Sequence, residues 1–129
     1  MVFGAFSILH PGHLWFFRQA KKYGNYLIVV LGRDTTIKKI KGTPPQLNEK
    51  ARLEIIAALK MVDKAVLGDK DDWYKPILKY KPAVICLGYD QKEPEGFLEQ
   101  LKRKNIKAKI IRIKSFKPSK YKSSKIFKL

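Results

Sequence analysis

Cysteine is nearly absent. Cys86 is the single one in 129 residues, so no internal disulfide can form. A lone cysteine inside an apolar run fits a reducing, intracellular setting. Long hydrophobic runs are missing too. The longest, Tyr26 to Leu31, is strand-sized, far short of the roughly 18 apolar residues that a membrane span needs. No signal-peptide pattern opens the chain, because Met1 leads through a short apolar stretch straight to Gly4. These absences predict a cytoplasmic protein with no membrane partner. Neither the dinucleotide-binding GxGxxG nor the phosphate-loop GxxxxGK[ST] occurs. Acidic residues are few, 11 against 28 basic ones, and residues 101–129 hold 12 basic side chains and no acidic one.

What is present reads as a globular chain. Hydrophobic residues make up 45% of it, too many for disorder. The length suits one domain over 1–129, carrying a basic C-terminal segment at 115–129. The net charge of +17 raises the local concentration of anions. It suits a phosphorylated ligand, a nucleic acid, or simply a solvated lysine-rich surface. Aromatic residues interleave the basic end at Phe116, Tyr121 and Phe127, yet zinc-finger spacing and an aromatic RNA-binding strand motif are both lacking.

Short β-rich runs alternate with amphipathic helical stretches. Strands are predicted at Met1–Phe3, Tyr26–Leu31, Lys64–Leu67, Ala83–Leu87 and Ala108–Ile113. Helices are predicted over 12–23, over 49–60 behind an Asn48 cap, from Asp71 or Asp72 to Tyr80, from Pro94 to about Lys104, and briefly at 124–128. Residues 32–47, with Lys39, Lys41, Gly42 and Pro44-Pro45, read as a loop. Strand–helix alternation at this spacing means βαβ units. The expected fold is therefore α/β: a doubly wound, Rossmann-like sheet of five parallel strands with helices on both faces. Ligands on such sheets bind beyond the carboxyl ends of the strands, so the loop after the first strand is where chemistry is expected.

Both histidines lie in that loop, in His10-Pro11-Gly12-His13. At i and i+3 they share one side of a helix start. Unpaired N–H groups and the positive dipole end welcome an anion there, and Gly12 lets a ligand approach the backbone. Other readings compete. A zinc site would need further ligands, and only Cys86 is left besides carboxylates. Ser7 with His10 as a nucleophile pair lacks the elbow context. Two surface histidines with no role is the bland alternative. Cys86 itself reads as core packing, and Arg52 as a solvent-exposed residue on a helix face.

Gly4-Ala5-Phe6-Ser7-Ile8-Leu9-His10-Pro11-Gly12-His13 resembles the G-[TS]-F-D-x-x-H-x-G-H signature of the cytidylyltransferase-like nucleotidyltransferases. The likeness extends along nearly the whole chain. Asn48 to Asp63, with Arg52, is similar to the family's second helix and the strand after it. Leu87-Gly88-Tyr89-Asp90-Gln91 is similar to the loop after its fourth strand, and Ser123-Ser124-Lys125-Ile126 to its C-terminal S-[ST]-x-I motif. The segments at 32–34 and 87–92 look most like archaeal FAD synthases, with glycerol-3-phosphate cytidylyltransferases next. Three positions depart from the pattern. Ala5 replaces a Thr or Ser, Ser7 replaces an Asp, and Lys122 stands where a small hydroxyl residue is usual.

The resemblance implies an enzyme that moves AMP from ATP to FMN, giving FAD and pyrophosphate. It implies that His10 and His13 hold the reacting phosphates, and that Lys39 and Lys41 neutralise phosphate charge. It places Gly4, Ala5, Phe6, Gly12, Gly88, Asp90, Ser123 and Ser124 around the nucleotide. Magnesium would arrive mainly on the nucleotide phosphates, with no dedicated protein ligand set. The implied partners are a nucleoside triphosphate, a phosphorylated acceptor and, as often in the family, a second copy of the chain. The basic tail could close over so charged a substrate pair. A cytidylyltransferase acting on an alcohol phosphate is the nearest alternative. The losses at Ala5 and Ser7 raise another, a nucleotide-binding protein without turnover, and the net charge a third, a nucleic-acid binder.

Overall fold

A computed structural model describes residues 1–114. Five strands run in parallel: β1 (Val2–Gly4), β2 (Ile28–Leu31), β3 (Lys64–Leu67), β4 (Val84–Leu87) and β5 (Lys109–Arg112). Five helices connect them: α1 (Pro11–Lys21), α2 (Asp34–Lys41), α3 (Glu49–Ala57), α4 (Lys75–Tyr80) and α5 (Phe97–Arg103). The strand order is β3-β2-β1-β4-β5, as the doubly wound reading expected. The chain first winds outward through β2 and β3, then returns to the other side of β1. The reversal leaves β1 and β4 side by side at the switch point.

The apolar runs explain the layering. Alternate residues of a strand point to opposite faces. Val29 and Leu31 of β2 join Phe17, Ala20 and Ile56 in a core on one face. Ile28 and Val30 join Tyr74, Ile77, Phe97 and Leu101 on the other. All four residues of β2 are buried, as a central parallel strand requires. Cys86 is buried within the first core, as a packing residue.

Residues 32–47 differ from the loop expected there. Eight of them form α2, which begins with Asp34 and stops at Gly42 in a left-handed conformation (φ 83°). Its sequence, DTTIKKIK, hides the helix because only Ile37 is buried. The holding interactions are polar and come from outside. Asp34 N–H donates to Glu49 Oε1 (3.0 Å), and Glu49 N–H donates to Asp34 Oδ2 (3.1 Å). The first turns of α2 and α3 are thus tied head to head.

Smaller differences concern helix starts. α4 begins at Lys75, after turns in which Asp69 accepts from Asp71 and Asp72 N–H, and Asp72 accepts from Tyr74 N–H. Pro94 lies in a turn closed by Phe97 N–H to its carbonyl (3.1 Å), and α5 follows a left-handed Gly96. The basic segment 115–129, Ser123, Ser124 and the helix expected at 124–128 lie outside the described residues. Among the described residues, no helix is long and apolar enough to cross a membrane.

Candidate active site at the head of the first helix

The loop after β1 is shaped by two residues. Phe6 takes a left-handed backbone (φ 49°), which turns its buried ring back over Gly4. A Cβ on Gly4 would lie 2.6 Å from that ring, so only glycine fits. The Phe6 ring then meets Phe17 edge-on (5.1 Å) and His13 edge-on (5.4 Å). Core packing therefore sets where the second histidine sits.

His10 caps α1 with its ring. Gly12 N–H donates to His10 Nδ1 (3.1 Å), and His10 N–H donates to His13 Nδ1 (3.4 Å). The two rings stack with centroids 3.9 Å apart. Each Nδ1 is an acceptor, so each neutral ring carries its proton on Nε2. The pair is two adjacent rings fixed by backbone N–H groups at the head of α1. Burial lowers the pKa of His10. That of His13 falls to about 4, first through burial and then through the charge of His10, with the Ile8 carbonyl pulling weakly the other way. Both rings are neutral at pH 7. The first turn of α1 holds no acidic residue, so nothing in that turn competes for an incoming anion.

Arg52 is not the exposed helix residue that the sequence suggests. It is 1% exposed. Its Nη1 donates to the Ala5 carbonyl (2.8 Å), its Nε to the Leu47 carbonyl (3.1 Å) and its Nη2 to Asp34 (2.8 Å). Burial would raise the Asp34 pKa, but the Glu49 N–H and Arg52 outweigh it and hold the carboxyl below its ordinary value. The signal was available: Arg52 lies one helical turn before Ile56, on the buried stripe.

Across the crevice, β4 ends in the turn Gly88-Tyr89-Asp90-Gln91. Gly88 N–H donates to Gln91 Oε1 (3.0 Å), and Gln91 Nε2 donates to the Phe3 carbonyl (3.0 Å). From β5, Arg112 Nη1 donates to the carbonyls of Gly88 (2.8 Å) and Gln91 (2.5 Å). Three consecutive carbonyls of the β1 end are therefore taken by three separate elements. Phe3 is held by Gln91, Gly4 by the N–H of Gly32 (2.9 Å) and Ala5 by Arg52. Tyr89 and Asp90 face solvent on this turn.

The structure thus brings Gly4, Ala5, Phe6, Gly12 and both histidines together where β1 passes into α1, with Gly88 and Asp90 on the neighbouring turn. Lys39 and Lys41 lie exposed in the last turn of α2 rather than on a loop. Among the described residues, no group of three or more His, Cys, Asp or Glu gathers where it could hold a metal ion. A cavity of about 230 Å³ opens at the opposite, amino-terminal end of the strands, lined by Tyr23, Tyr26 and Val84. It holds neither histidine, and the parallel sheet directs ligands to the other end.

The profile of the cytidylyltransferase-like family matches residues 1–129, the whole chain. The chain belongs to this family. Among the similar cytidylyltransferase-like proteins are FAD synthases from archaea. That of Aciduliprofundum boonei is 45% identical over 117 residues, covering 90% of this chain and 78% of the relative. That of Ferroglobus placidus is 47% identical over 114 residues, covering 87% and 73%. That of Archaeoglobus fulgidus is 44% identical over 116 residues, covering 88% and 82%. A solved structure, the lipopolysaccharide core biosynthesis protein from Thermoplasma volcanium, superposes with a TM-score of 0.81 at 40% identity, covering 89% of this chain and 96% of that one.

Proposed function

We propose that this protein is an FMN adenylyltransferase, transferring AMP from ATP to FMN. The observation that carries the reading is the histidine pair, two backbone-fixed N–H donors at the head of α1, in a chain 44–47% identical to three archaeal FAD synthases. A phosphate oxygen of FMN attacks the α-phosphorus of ATP in line. The new P–O bond forms as the bond to pyrophosphate breaks, and the electron pair leaves with pyrophosphate. No group on the protein needs to be consumed. Its work is orientation and charge stabilisation.

His10 and His13 donate through Nε2 to the oxygens around the crowded α-phosphorus. Because both rings are neutral, they act as hydrogen-bond donors that strengthen as charge builds on those oxygens. Gly12 lets phosphate oxygens approach the backbone, while Gly4 makes room for the Phe6 ring that shapes the loop. Ala5 serves through its carbonyl, which Arg52 holds, so the hydroxyl usual at this position is not needed for that contact. Gly88 and Asp90 bound the nucleotide on the β4 side. Lys39 and Lys41 supply positive charge from α2, and Ser123 and Ser124 are assigned to the β- and γ-phosphates. Magnesium would belong to the substrate, carried on ATP, and when bound would supply positive charge to the phosphates.

The Trp15 indole donates to the Lys114 carbonyl (3.3 Å), so the last described residue lies against the histidine helix. That placement supports a role for the basic segment beyond it near the same substrates. The test is product formation with Mg²⁺, ATP or CTP, and FMN or glycerol 3-phosphate, beside a His10→Asn control. FAD formed only with intact His10 is the expected result. CDP-glycerol in place of FAD would overturn the assignment of both substrates.

A further inference from the structure

Each strand of a parallel sheet meets its neighbour through evenly spaced backbone bonds. At the carboxyl end of the sheet, three of the four junctions finish on such a rung. Gly32 N–H reaches the Gly4 carbonyl (2.9 Å), Gly68 N–H the Leu31 carbonyl (2.8 Å) and Ile113 N–H the Leu87 carbonyl (2.8 Å). The fourth junction, β1 with β4, begins in the same way. The Met1 ammonium donates to the Val84 carbonyl (2.8 Å) and Cys86 N–H to the Met1 carbonyl (3.0 Å). Continued two residues on, that ladder would send Gly88 N–H to the Phe3 carbonyl. It does not. The Gln91 carboxamide stands between them, accepting from Gly88 and donating to Phe3.

A primary amide accepts on one atom and donates on the other, as a peptide unit does. Its orientation here is fixed, because reversing it would set donor against donor and acceptor against acceptor. The amide is also held from behind. Arg112 clamps the main chain of the same turn at Gly88 and Gln91 and pairs with Glu93 (2.7 Å). The paired register of β1 with β4 accordingly shrinks to Val2 with Cys86, whereas β4 stays matched to β5 along its whole length.

We propose that Gln91 is a positioning residue that sets the width of the nucleotide crevice. Its amide keeps β1 and β4 one side-chain rung apart at the switch point, and so fixes the distance between the histidine loop and the Gly88–Asp90 turn. The inference rests on the nucleotidyl-transfer reading, in which the nucleotide spans both loops. Without the amide, Gly88 N–H is free to close on the Phe3 carbonyl, and the crevice narrows. A ligand that touches both loops then loses affinity, while one that needs only the histidine loop does not.

The test compares ATP with pyrophosphate, both titrated calorimetrically into the full-length wild type and Gln91→Ala. The expected result is a loss of about tenfold or more in ATP affinity, with pyrophosphate affinity held within about twofold. Equal weakening of both ligands, or unchanged ATP affinity, overturns the proposal. Should Gln91→Ala fail to fold, Gln91→Glu keeps the side-chain length and the acceptor for Gly88 but lacks the donor for Phe3, and the same split is expected. Wild type that binds ATP yet makes no FAD would overturn the acceptor assignment while leaving this comparison decisive for Gln91.

Discussion

His10 and His13 fix one another: the main-chain N–H of the first donates to the ring of the second, and the rings lie 3.9 Å apart in a stack. In the proposed transfer, cap and chemistry use different nitrogens: Nδ1 serves the helix and Nε2 donates to phosphate. The two roles can therefore be separated by substitution.

Asparagine is a strong helix cap through its side-chain oxygen. His10→Asn is expected to leave the melting temperature near that of wild type while removing the Nε2 donor. Turnover should fall by about 10²-fold or more, the scale of losing one preorganised donor to a reacting oxyanion. Steady-state FAD formation beside thermal melts checks both parts.

Acid should loosen the fold through the same pair. The His13 pKa falls from 6.5 to about 4 on folding, and His10 moves in the same direction. The unfolded chain then binds more protons than the folded one between those values. This stabilising contribution is complete above pH 6.5 and is lost as pH falls toward 4. Melting temperatures across that range should drop less steeply for His13→Gln than for wild type.

Arg52 and Asp34 form an ion pair in which the arginine is fully buried and the carboxylate about one-third exposed. Arg52→Met is expected to cost about 3 kcal/mol, near the lower end of the range for breaking a buried pair. It also frees the Ala5 carbonyl. Arg52→Lys keeps the charge but cannot satisfy three acceptors in one plane, and should recover less than half of that loss. Urea unfolding of the three proteins measures the difference.

Gly4→Ala drives a methyl group into the Phe6 ring. Overpacking of this kind costs about 1–3 kcal/mol. Since Phe6 also packs on His13, nucleotide affinity should fall along with stability. Calorimetric ATP titration of the variant, run below its melting temperature, tests the link.

The strands and the histidine helix were legible because their signals are local. Ile28 to Leu31 is an unbroken apolar run, and His-Pro-Gly-His opens an amphipathic stretch. α2 was not, because Thr35, Thr36 and three lysines bury nothing and Gly42 reads equally well as loop or stop. Arg52 was misjudged because its partners, Ala5 and Asp34, are 47 and 18 residues away in sequence. Gln91 was legible only as the end of a loop motif, with no role of its own. Its meaning lies in a missing backbone rung, which exists only once the strands are side by side.

The paired first turns of α2 and α3 have an electrical consequence. Asp34 and Glu49 each set a negative charge on the other helix's opening N–H as well as on their own first turn. Two dipoles are thereby cancelled internally, at the cost of no external anion. The head of α1 has no acid in its first turn, and its side-chain caps are the neutral rings of His10 and His13. In a chain of net charge +17, where anions are drawn in from every side, such cancellation is a form of addressing for the proposed phosphate ligands: it sets the histidine helix apart from the two helices tied together beside it.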